Sequence, residues 1–179
     1  DSAAPTPEVV VGADLVPWPH QVEALEALAE WDGQLGALVM PPGSGKTMVM
    51  GMHGRNFARV VVCSPTRALA AQTLETMGRL MPDHRRLLVD CDATGTRDAD
   101  DVAAAWADDR PLLVSTTYVS MRDIVSPLVT EDTVVMIDEA HHVIGRLSET
   151  VELIERTACR ALLVTGTPPD ALMDDDDFE

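Results

Sequence analysis

Six short apolar runs, "LGALVM", "ARVVVCS", "RRLLVD", "PLLVSTT", "TVVMID" and "ALLVTG", recur along this 179-residue chain, and stretches with helical spacing lie between them. This alternation is what most restricts the fold. Strands that are apolar on both faces need cover on both, and helices between successive strands provide it. The expected architecture is a doubly wound, three-layer α/β domain around a mainly parallel sheet. Helices are expected in "PHQVEALEALAEW", where Val22, Leu25, Leu28 and Ala29 share a side and Gly33 supplies a stop, and in "KTMVMGMHGR", "RALAAQTLETMGRLM", "DADDVAAAWAD", "YVSMRDIV" and "SETVELIERTA". Trp31 and Trp106 fall on these helices as packing anchors, and Met48, Met50 and Met52 pack a helix against the sheet. The length suits one domain with a sizeable core.

Composition narrows the function classes. Hydrophobic residues make up 46% and charged residues 24%, as in a soluble globular protein. The formal net charge of −17 disfavours non-specific attraction to phosphate backbones or anionic membranes, so any nucleic-acid contact must be local. The acidic runs "DADD", "ADD" and "MDDDDFE" read as solvated surface. Cys63, Cys91 and Cys159 are widely separated and form no Cys-x-x-Cys pair, which fits reduced thiols and a cytoplasmic location. His20, His53 and His84 share no metal-ligand spacing, so no zinc is expected. No apolar stretch approaches the roughly 18 residues of a membrane span, and the acidic start is no signal peptide. By composition, residues 1–17 form a Pro/Ala-rich arm, 18–170 the α/β domain and 171–179 an acidic tail.

In a parallel α/β fold, ligands gather where strands end and helices begin. "MPPGSGKT" occupies such a junction and holds Lys46, the only lysine in the chain. Gly43 and Gly45 let the backbone turn tightly and aim N–H groups inward as a nest for phosphate oxygens, and the helix N-terminus adds partial positive charge. Pro42 and Ser44 belong to the same cradle. Lys46 can reach the β and γ phosphates while the Thr47 hydroxyl ligates Mg²⁺. Met40 stands where the strict pattern has glycine. A bland alternative is a Gly-rich turn that binds nothing.

A nucleoside triphosphate also needs an acidic site for its metal. "TVVMIDEAHH" places Asp138 and Glu139 at the end of an apolar strand, where the first carboxylate can hold Mg²⁺ and the second can orient and deprotonate an attacking water. Adjacent side chains normally diverge, and two acids at a strand end can be a solubilising cap.

Lys46-Thr47 together with Asp138-Glu139-Ala140-His141 resembles the superfamily-2 helicases and translocases, the DEAD/DEAH-box group in the broad sense. Further segments follow in the family's order. "PHQVEAL" resembles the segment whose glutamine reads adenine, implying Gln21; "SPTRALAAQ" resembles a backbone-contacting motif, implying Pro65, Thr66 and Arg67. "VSTTYVSM" is similar to another such segment, implying Thr116 and Thr117. "TGTPP" resembles the motif that links hydrolysis to movement, implying Thr165, Gly166 and Thr167, with His141 coupled to it. Trp18 and Gly166 stand where the family commonly has arginine and alanine. The resemblance implies a RecA-like first lobe that binds ATP and Mg²⁺, works on nucleic acid with DNA favoured over RNA, and needs a second RecA-like lobe to complete its site. Because the sequence stops soon after "TGTPP", the expectation is the first lobe alone, its tail leading into a linker. Two rivals are a non-catalytic interaction lobe that keeps the helicase fold and a P-loop NTPase of another kind, such as a small kinase. The first does not need Lys46, Asp138 and Glu139 together, and the second leaves "SPTRALAAQ" and "DEAHH" unexplained.

Overall fold

The computed structural model describes residues 16–90 and 95–166. Six strands form one sheet: β1 (Leu35–Val39), β2 (Arg59–Ser64), β3 (Arg85–Val89), β4 (Leu112–Thr117), β5 (Thr133–Asp138) and β6 (Arg160–Thr165). Their order is β1-β6-β5-β2-β4-β3 and every pairing is parallel. The sheet is thus wholly parallel, each expected strand is present, and the fold is RecA-like α/β.

Alternate strand residues feed two separate cores. Val60, Val62, Val134, Met136, Leu162 and Val164 pack with Leu28, Met50, Met77 and Leu80 from α1 (Pro19–Glu30), α2 (Lys46–Gly54) and α3 (Arg67–Leu80). On the other face, Val61, Cys63, Val135, Ile137 and Leu163 pack with Val102, Trp106, Leu153 and Ile154 from α4 (Ala99–Ala107) and α6 (Leu147–Thr157). Burial on both faces explains why these strands read as continuous apolar runs. Met50 is fully buried, Met52 is half-buried and Met48 packs at the margin of the first core. Trp31 lies just after α1 with the Arg160 guanidinium 5.5 Å from its ring centre.

Local chemistry starts two of the helices. The Thr66 hydroxyl accepts from Leu69 N–H at 3.2 Å to cap α3, and Asp98 accepts from Asp100 N–H at 2.9 Å to cap α4, whose first turn carries two further acids at the positive end of the dipole. "YVSMRDIV" differs from the expected single helix. One α-turn, α5 (Tyr118–Ser120), widens into a π-turn over Met121–Val125 and ends in a 3₁₀ turn over Ser126–Leu128. Pro127 has no N–H with which to continue an α-helical ladder. The 3₁₀ turns Ala140–His142 and Ile144–Arg146 after β5 also carry no sequence signal that periodicity detects. Cys63 and Cys159 are free and buried, and burial pushes the Cys63 thiol up to about 12, which keeps it protonated. Among the described residues no helix is long and apolar enough to cross a membrane.

Candidate nucleotide site

Strand register brings the chemistry to one edge. Val39 pairs with Thr165, Val164 with Asp138, and Ser64 with Thr117, so the carboxyl ends of five strands lie in a row with the segments that follow them. Segments distant in sequence become neighbours there, at the position where open α/β sheets bind ligands.

The phosphate loop leaves β1 through Met40, whose N–H donates to the Thr165 carbonyl at 3.0 Å and whose side chain is 5% exposed in the first core. Packing inward explains how methionine fits where the strict pattern has glycine. Gly43 and Gly45 are left-handed, with φ of 77° and 82°, a region glycine enters at little steric cost. At Gly45 a Cβ would also collide with Gln21 Nε2. The Ser44 carbonyl accepts from Gln21 Nε2 at 3.0 Å and meets the His20 ring at 2.9 Å, while Ser44 Oγ donates to the Pro41 carbonyl at 2.6 Å. The other end of the Gln21 amide accepts from Trp18 N–H at 2.8 Å. Gln21 therefore ties the loop to the start of α1, one end of its amide on each, a role that its assignment to base reading did not anticipate. At the start of α2, the Lys46 and Thr47 N–H groups lie in the first turn, where a helix offers no internal acceptor.

Opposite the loop, Asp138 ends β5 and Glu139 adopts a left-handed conformation with φ of 51°. The turn reorients two side chains that an extended strand would hold apart. Asp138 Oδ1 accepts from Glu139 N–H at 3.0 Å, and Lys46 Nζ donates to Glu139 Oε1 at 3.0 Å across 93 residues of sequence. The second Glu139 oxygen lies 3.4 Å from His141 Nδ1, which is also 3.3 Å from Thr165 Oγ1. Lys46, Glu139, His141 and Thr165 thus form a continuous polar path. Burial first, and the neighbouring Glu139 carboxylate second, raise the Asp138 carboxyl above its ordinary range. Gly166 lies against the loop: a Cβ there would sit 3.2 Å from Pro42 and 3.3 Å from Lys46 Nζ. That close approach favours glycine over the alanine common in the family. Thr167, like Cys91, the tail and residues 1–15 of the arm, lies outside the described residues.

The remaining site residues follow β2 and β4. Pro65 is half-buried, and Thr66 and Arg67 are exposed at the start of α3. Arg67 Nε lies 3.2 Å from Asp90 Oδ1, a carboxylate 2% exposed at the end of β3. Thr117 caps α5 by accepting from Ser120 N–H at 3.4 Å and remains partly accessible. Thr116 is a correction: its side chain is fully buried and its hydroxyl donates to the Val89 carbonyl at 2.9 Å, so it joins β4 to β3 and presents nothing to a ligand. Strand alternation carries the signal, since neighbours in a strand face opposite sides.

The DEAD/DEAH box helicase family matches residues 18–174. This chain belongs to that family.

The helicase-type ATPase lobe has the fold of several solved proteins. A nuclease-deletion mutant of the Type ISP restriction-modification enzyme LlaGI, in complex with a DNA substrate mimic, superposes with a TM-score of 0.67 at 22% identity over 89% of this chain and 18% of its own. Dbp5 of S. cerevisiae, bound to RNA and ADP BeF3, gives 0.65 at 18% identity over 88% of this chain and 42% of its own. The UvsW helicase from bacteriophage T4 gives 0.62 at 14% identity over 84% and 52%. This lobe therefore spans about half or less of these relatives. No curated protein matches it in sequence.

The residues of the lobe suit a magnesium nucleotide. Mg²⁺ keeps several waters and takes few protein ligands, so the Thr47 hydroxyl and the Asp138 carboxylate could hold it without a closed cage. Among the described residues no group of three or more His, Cys, Asp and Glu side chains forms such a cage. A cavity of about 110 Å³ lies behind the acidic turn, lined by Cys63, Tyr118, Met121, Ile137 and Leu153, and no phosphate-loop residue lines it. Two contributors escaped the sequence reading: His20 on the Ser44 carbonyl, and Tyr118, whose hydroxyl donates to the Asp138 carbonyl at 2.5 Å. Neither has a spacing signal.

Proposed function

We propose that this chain is the ATP-binding first lobe of a nucleic-acid-dependent ATP hydrolase, a helicase or DNA translocase that converts ATP to ADP and phosphate. The observation that carries the reading is the Lys46 ammonium 3.0 Å from Glu139, between a glycine loop at a helix N-terminus and an acidic strand end. Lys46 can exchange that carboxylate oxygen for phosphate oxygens of the same charge. Freed from the ammonium, Glu139 orients a water and takes its proton, with His141 holding the second carboxylate oxygen in place. Mg²⁺ would offset the charge of the phosphates from Thr47 and Asp138. The path from Glu139 through His141 to Thr165 offers a route by which the state of the nucleotide reaches the segment after β6, with Gly166 and Thr167 as the coupling residues.

Pro65, Thr66, Arg67 and Thr117 supply the backbone contacts, and a second RecA-like lobe in the parent protein completes the site. Solved relatives include one holding a DNA substrate mimic and one holding RNA. We assign DNA because "DEAHH" followed by "TGTPP" resembles the duplex-DNA translocases of the family. ATP turnover by the parent protein with duplex DNA, single-stranded DNA and RNA tests the assignment. Strongest stimulation by duplex DNA is expected; stronger stimulation by RNA overturns the choice of polymer. ATP binding without turnover under any polymer favours an interaction lobe.

A further inference from the structure

Tyr118 joins the two halves of the site. It follows Thr117 directly at the end of β4, where the polymer contact is assigned, and its phenol donates to the Asp138 carbonyl at 2.5 Å and lies 3.3 Å from the Glu139 carbonyl. Those carbonyls bracket Glu139, which holds a positive φ that non-glycine residues seldom adopt. A left-handed non-glycine residue persists only when its surroundings over-determine it, and such residues cluster at functional sites. The shared hydrogen bond is a restraint of that kind, applied to the backbone so that both carboxylate oxygens stay available to Lys46 and His141. The phenol is half-buried.

We propose that Tyr118 is a positioning residue: it transmits engagement of a nucleic-acid backbone at the end of β4 to the turn that aims the Glu139 carboxylate. Displacing Thr117 moves the adjoining phenol, and the phenol moves the peptides on either side of Glu139. This rests on the ATPase reading above.

The test compares Tyr118→Phe with wild type in the full-length parent protein. Phenylalanine keeps the ring and removes only the O–H. DNA-stimulated kcat is expected to fall about tenfold while KM for ATP and the Kd values for Mg-ATP and DNA stay within about twofold, with the melting temperature held. Placing p-aminophenylalanine at 118 returns a donor and is expected to restore most of the stimulated rate. Unchanged kcat in Tyr118→Phe, no rescue by the amine, or a joint fall of kcat, nucleotide affinity and melting temperature each overturns the proposal. A wild-type protein that turns over no ATP overturns the ATPase reading and this proposal with it; normal turnover in wild type and Tyr118→Phe alike overturns this proposal alone.

Discussion

The nucleotide half and the polymer half of the sheet edge are built differently. Around the phosphate loop, polar contacts join elements far apart in sequence: Lys46 to Glu139, Gln21 and His20 to Ser44, and His141 to Thr165. At the ends of β2 and β4, Thr66 and Thr117 instead cap the helices they begin, three residues away. The first half is therefore pre-assembled by the folded lobe, whereas the second presents short polar groups on local turns. Arg67 is the exception on the polymer side, because its ion pair with buried Asp90 ties β3 to α3.

Glu139→Gln attacks the pre-assembled half most directly, and at least a hundredfold loss of ATP turnover is expected, of the order that general-base removal costs. Mg-ATP affinity should change little in a binding titration, and unchanged turnover would remove Glu139 from the chemistry. Arg67→Ala tests the other half: DNA affinity should fall about tenfold and the counterion slope by about one. Melting should also drop, because the buried Asp90 carboxylate loses this partner; unchanged DNA binding with lowered stability would make Arg67 structural only.

Gln21→Ala sharpens the contrast. As a brace on Ser44, it should weaken ATP and GTP alike by roughly three- to tenfold, the range of one or two hydrogen bonds. A loss confined to ATP would restore base reading to this side chain.

Read on stability alone, Asp138→Asn gives the smallest effect. The folded-state pKa of Asp138 lies above its unfolded value, so ionisation opposes folding. This cost is present above the folded-state pKa and fades as pH falls through it. The variant keeps the acceptor for Glu139 N–H and is expected to raise the melting temperature slightly at neutral pH, with the gain shrinking toward acidic pH. A lower melting temperature at neutral pH would mean that the negative charge stabilises this turn.

Much of this arrangement could be read before the fold was known, for reasons visible in particular residues. Strands such as "RVVVCS" and "TVVMID" declare two-sided burial residue by residue, and the sequence alone places Lys46-Thr47 at a helix start and Asp138-Glu139 at a strand end. Pairings across the sheet are less accessible. Nothing in "VSTTYVSM" singles out Tyr118, because its contact depends on the chain leaving β4 after Thr117 and on β5 lying two strands away. The Gln21 brace likewise depends on where α1 docks, which no local pattern encodes. The π-turn over Met121–Val125 and the 3₁₀ turn that holds Pro127 also lie outside what periodicity detects.

Calorimetric titration of Mg-ATP into this chain beside Lys46→Ala, with GTP and ADP in parallel, tests the central claim most directly. Saturable ATP binding that is lost in the variant is the predicted result. Equal binding by both proteins, or none by folded wild type, would contradict a nucleotide site assembled by this lobe.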